Sequence, residues 1–99
     1  MTTSTARVST TNGSRYLQQL CKHWGHRFAV EFDPVRGRID FGGGETVTLE
    51  AADETLLVAV AASPGSEPGK LERVVAEHLK RFAFREELDF RWSREDASS

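Results

Sequence analysis

The sequence predicts an α+β fold, a two-layer sandwich in which two helices cover one face of a mostly antiparallel sheet. Two observations carry that prediction. Apolar residues recur at helical spacing in two stretches, ending at Trp24 and Phe82, while shorter runs elsewhere alternate in polarity with the two-residue period of strands. The resulting order is β-α-β-β-β-β-α-β, whose consecutive middle strands call for hairpins.

Ala6, Val8 and Thr10 alternate with Arg7 and Ser9 and give a short first strand. Asn12-Gly13-Ser14 follows with turn and N-cap chemistry. Leu17, Leu20, Cys21 and Trp24 then recur at i, i+3, i+4 and i+7, so the first helix runs from Ser14 to Trp24. Gly25 is expected to end it in the left-handed conformation that glycine enters without a steric penalty. Phe28, Val30 and Phe32 alternate next, Asp33-Pro34-Val35-Arg36-Gly37 turns the chain, and Ile39 and Phe41 continue the meander. Gly42-Gly43-Gly44 reads as a hairpin turn, because a phosphate cradle would lead into a helix and here a strand follows.

Val47, Leu49 and Ala51 oppose Thr46, Thr48 and Glu50, the alternation of a strand wet on one side. Leu56 to Ala62 is apolar or small on both faces, which predicts a central strand or one covered by something outside the monomer. After the breaker PGSEPG, Ser66 is placed to cap a second helix, with Pro68 in its first turn where a missing N–H costs nothing. Leu71, Val74, Val75, His78, Leu79 and Phe82 mark its apolar stripe, and Leu88, Phe90 and Trp92 alternate into a last strand. Residues 1–5 and 94–99 are polar or small and are expected to fray, leaving one domain over 6–93.

With 99 residues there is room for one domain only. A net charge of -2 and a pI of 5.9 give no overall pull towards nucleic acid or an anionic membrane, so neither is an expected partner. One cysteine cannot close an intramolecular disulfide, and the polar start lacks the apolar stretch of a leader or span; the expected compartment is the cytoplasm.

Chemistry concentrates at helix ends. Cys21, His23 and His26 lie within six positions, and all three types ligate transition metals; His23, His26 and His78 form the candidate metal set. The spacing matches neither a zincin helix nor paired C-x-x-C units, and Cys21 belongs to the apolar stripe. His78 is read as a core residue of the second helix, needing a partner such as a backbone carbonyl, Tyr16 or a polar group of the first helix. Were the two helices parallel, His23, His26, Arg27 and Arg81 would form one electropositive edge for an anionic ligand. No catalytic residue and no cofactor is required by the sequence.

Arg15-Tyr16-Leu17 with Leu20-Cys21-Lys22-His23-Trp24-Gly25-His26-Arg27, then Glu77-His78-Leu79-Lys80-Arg81-Phe82-Ala83 with Arg85-Glu86 and Trp92, resembles the small bacterial family catalogued as domain of unknown function 2218. The resemblance spans nearly the whole chain. It implies a link to iron and siderophore use, with a siderophore-interacting reductase as candidate partner. On that footing His26, Arg27, His78 and Arg81 are the candidate ligand contacts, for a small anionic or metal-containing ligand. Two other functions compete: a protein-interaction module that docks or forms a homodimer through its open sheet face, and a small enzyme with His78 as acid or base.

Overall fold

The computed structural model describes residues 2–63 and 68–96. The elements are β1 (Thr2–Ser9), α1 (Gly13–Trp24), β2 (Ala29–Phe32), β3 (Arg36–Gly42), β4 (Glu45–Ala51), β5 (Thr55–Ala62), α2 (Pro68–Phe82) and β6 (Trp92–Asp96). They form the predicted α+β sandwich in the predicted order. All strand pairs are antiparallel, and the sheet order is β2-β3-β4-β5-β1-β6. The doubly apolar strand β5 is central, between β4 and β1.

One parity of side chains builds the core. Ala6 and Val8 of β1, Ile39 of β3, Val47 and Leu49 of β4, and Leu56, Val58 and Val60 of β5 are buried, and register places them on one face. Leu17, Leu20, Cys21 and Trp24 of α1 and Val75 and Leu79 of α2 meet them from above. Two glycines allow this close docking. A Cβ at Gly37 would stand 2.7 Å from the Cys21 sulfur, and one at Gly13 would stand 3.2 Å from the Leu56 Cβ.

The triglycine run makes the hairpin the sequence predicts, with Gly42, Gly43 and Gly44 all at positive φ (86°, 65° and 84°). Asp40 Oδ1 accepts the Gly42 N–H at 2.9 Å beside the register shift between Asp40 and Gly42.

Four local expectations need correction. Gly25 is right-handed (φ -63°, ψ -17°), its N–H donating to the Cys21 carbonyl at 2.9 Å, so the chain winds onward until Phe28 N–H reaches the Trp24 carbonyl. Asn12 occupies the N-cap position without a side-chain cap bond; its amide is drawn away to Glu86 at 2.9 Å. The first strand starts at Thr2, and the last covers Trp92–Asp96 instead of Leu88–Trp92, so ordered strands pass both expected limits of the domain. The physical reason is Glu72, a buried carboxylate that draws Ser4 and Arg94 to itself. The Ser66 cap lies outside the described residues.

The direction of the helices follows from topology. Each helix reverses the strand before it, and β1 and β5 are antiparallel, so α1 and α2 run in opposite senses. Contacts agree: His78 meets Trp24, Phe82 meets His23, and Glu86 meets Tyr16, so one segment retreats as the other advances.

Candidate ligand site between the two helices

The second helix carries two adjoining stripes. Glu72, Val75, Ala76 and Leu79 are buried, whereas Leu71, Val74, His78 and Phe82 are half-buried along its flank. His78 is therefore a flank residue and not the core residue that the periodicity suggests. Its partner is the simplest of those expected: Nδ1–H donates to the Val74 carbonyl at 2.8 Å, one turn earlier. A carbonyl can only accept, so Nδ1 carries a hydrogen and Nε2 is the ring nitrogen left for another partner.

Across the seam, His78 meets His23 with ring centroids 5.1 Å apart and Trp24 at 4.9 Å. Phe82 stands edge-on to His23 at 6.4 Å. His26 lies exposed in the turn after α1, and the helices are not parallel, so the proposed edge of His23, His26, Arg27 and Arg81 does not form on that basis. Among the described residues no three His, Cys, Asp or Glu side chains are grouped to hold a metal ion, so the His23, His26, His78 triad is not assembled. Arg27 and Arg81 are both exposed.

Cys21 is fully buried against Gly37, and burial pushes its thiol up to about 11, which removes the thiolate a nucleophile or ligand needs. The thiol is a packing group.

Beyond Phe82 the seam opens into a groove of about 510 Å³ lined by Arg15, Gln19, Phe82, Phe84, Arg85 and Glu86, among others. Arg15, Gln19 and His23 succeed one another at four-residue steps along one face of α1. The groove and the imidazole pair are thus continuous, joined at Phe82. Glu86 is anchored: its Oε2 accepts from Thr10 Oγ1 at 3.1 Å, Asn12 Nδ2 at 2.9 Å and the Tyr16 hydroxyl. Those bonds, from Tyr16 first and then Asn12, hold its carboxyl below the usual carboxylate range.

Sequence reasoning missed Arg15, Gln19 and Arg85 as groove residues. The four-residue spacing of Arg15, Gln19 and His23 was the available signal; what faced them depended on the antiparallel docking of α2.

A second concavity, of about 470 Å³, lies on the opposite, open face of the sheet, over Leu57 and Ala59 with Arg36, Arg38, Thr48 and Glu50 around it. Arg36 pairs with Glu50 at 3.7 Å there. Among the described residues no helix is long and apolar enough to cross a membrane.

No curated protein matches the chain. Among solved structures, it is similar to the NMR structure of PA4090 from Pseudomonas aeruginosa, with 40% identity, a TM-score of 0.79, and coverage of 94% of this chain and 96% of that one. Residues 5–93 match the family described as an uncharacterized protein conserved in bacteria, DUF2218. With nearly its whole length matched, the chain belongs to the bacterial DUF2218 family.

Proposed function

We propose that the protein is a non-catalytic accessory module that binds a small anionic or metal-containing ligand along the α1–α2 seam. The observation that carries this reading is the His23–His78 pair at 5.1 Å. With metal–nitrogen bonds of about 2 Å, two imidazoles on one ion place their ring centres about 5 Å apart. The pair would fill two coordination positions, and the ligand would bring the rest, as a chelate does. His78 Nε2 is the nitrogen left for this, since Val74 occupies Nδ1. His26, Arg27 and Arg81 stay in the proposal as flanking contacts. The family resemblance makes ferric siderophores the metal-containing anions to try first, with a siderophore-interacting reductase as partner.

Nickel nitrilotriacetate, an anion with two open metal positions, tests the pair directly. Titration into the protein without a histidine tag should broaden the NMR signals of His23, Trp24 and His78. His23→Ala and His78→Ala should each abolish the effect. Broadening that survives both substitutions together overturns the assignment.

A second reading has its own support. Leu57, Ala59 and Ala61 lie half-buried in mid-sheet with no layer above them among the described residues, which suits a second copy of the chain. Light scattering after size exclusion decides it; a monomer throughout the micromolar range overturns dimerisation.

A further inference from the structure

We propose that the groove at the α1–α2 seam takes an organic anion bearing an aromatic ring, its acid group between Arg15 and Arg85 and its ring towards Phe82 and His23. The inference rests on the seam reading above and names a ligand class for it.

Charge is the first argument. The groove lining holds two guanidiniums and one carboxylate, Glu86, one of whose oxygens is already engaged by Thr10, Asn12 and Tyr16. Neither Arg15 nor Arg85 makes a hydrogen bond or ion pair with another described residue. Two planar forks without acids of their own suit a carboxylate, which accepts their paired N–H groups side by side. Arg27 and Arg81, the arginines singled out by sequence, are not in the lining.

The walls give the second argument. Phe82 is half-buried and Phe84 is 80% exposed, an unusual position for a large apolar ring, with the Arg85 guanidinium 5.4 Å from its centroid. Aromatic surface laid beside fixed cations selects a ring with an acid attached over a bare anion, because the ring gains contact area that phosphate cannot offer. The imidazoles of His23 and His78 continue the same aromatic surface at the far end.

The test compares naphthalene-2-carboxylate with its uncharged amide and with inorganic phosphate, by calorimetry and backbone NMR on the full chain. The carboxylate should bind about tenfold more tightly than the amide, as a charge-assisted pair requires. It should also shift the amide signals of residues 15, 19, 82 and 85. Arg15→Gln with Arg85→Gln should bring it down to the level of the amide, and Phe82→Leu should weaken both ring compounds while leaving phosphate unaffected. Both arginines are exposed, so the double variant keeps the fold, which circular dichroism checks. Equal binding of acid and amide, or acid binding unchanged in the double variant, overturns the inference. If the nickel chelate perturbs His23 and His78 but naphthoate does not bind, this ligand class falls and the seam site stands. If naphthoate binds through the arginines and the chelate does not, the metal reading falls and this inference stands.

Discussion

Two carboxylates tie the C-terminal third of the molecule to its N-terminal strand and helix, and they do so by different means. Glu72 on α2 is 6% exposed and faces a cation: Arg94 donates to it through Nε at 3.0 Å and Nη2 at 3.2 Å, and Ser4 donates as well. Glu86, after α2, gathers three neutral donors, from Thr10, Asn12 and Tyr16, at a more open site. The first closes β1, α2 and β6 into one unit, and its residues are not among those that line the groove. The second fixes the groove's own wall. The buried carboxylate has its charge compensated by a cation, whereas the half-buried one is held by hydroxyl and amide groups and lines the groove.

The largest expected effect comes from breaking the charged unit. Arg94→Ala leaves the Glu72 carboxylate sequestered without its cation and should cost roughly 2–3 kcal/mol, less than a fully buried pair because Arg94 is half in water. Urea unfolding measures this, and a loss under 1 kcal/mol would show that Glu72 is stabilised by Ser4 and water. Glu86→Ala, which strips an acceptor from Tyr16 and Thr10, should cost about 2 kcal/mol, typical of hydrogen bonds to a charged group. It should also loosen the groove wall, read as shifts in the amide signals of residues 15, 19 and 85, an effect Arg94→Ala should lack.

Acid separates the two less than salt does. Burial pushes the Glu72 carboxyl up, but the Arg94 and Ser4 bonds outweigh it and hold it below its ordinary range; Glu86 is held down by Tyr16, Asn12 and Thr10. A carboxyl depressed in the fold adds stability that is complete above the unfolded value of about 4.3 and is lost as pH falls through the folded value. Stability should therefore decline below about pH 4, and the decline should flatten in the Glu72→Gln, Glu86→Gln double variant. Added salt screens the Arg94 pair and spares the neutral donors, so 1 M sodium chloride, roughly a 3 Å Debye length, should shrink the Arg94→Ala penalty and leave that of Glu86→Ala unchanged.

The same contrast explains what was legible in the sequence. Periodicity gave the helices and the meander because each signal lies within a few residues, as in Leu17, Leu20, Cys21 and Trp24. Glu72 shares the helical face of Val75 and Leu79, yet a carboxylate reads as solvated unless its partner is known, and that partner is Arg94, in a tail whose composition suggests fraying. Without Arg94 the last strand is drawn to the apolar alternation of Leu88, Phe90 and Trp92; instead Leu88 and Phe90 cover the core ahead of β6, and Trp92 opens that strand. The site followed suit. His23 and His78 were visible as residues, but their contact depends on the antiparallel pairing of β1 with β5, which no local pattern encodes.

The smallest predicted effect is the most direct probe of the Glu86 side. Tyr16 is the one tyrosine in the chain, so phenolate absorbance reports it alone. Burial raises its hydroxyl above the ordinary value of 10.0, and the bond to the Glu86 carboxylate, with its negative charge, raises it further. A raised acid favours the fold while it stays protonated, so this contribution holds below the unfolded value and is lost as pH climbs through the folded one. Glu86→Gln keeps an acceptor oxygen but removes the charge, and should bring the phenol titration down towards, though not to, its ordinary value, since burial remains. Arg94→Ala should not move it. If the Arg94 variant shifts Tyr16 as far as the Glu86 variant does, the two carboxylates belong to one coupled network, and the groove wall depends on the far end of α2 as well as on its own donors.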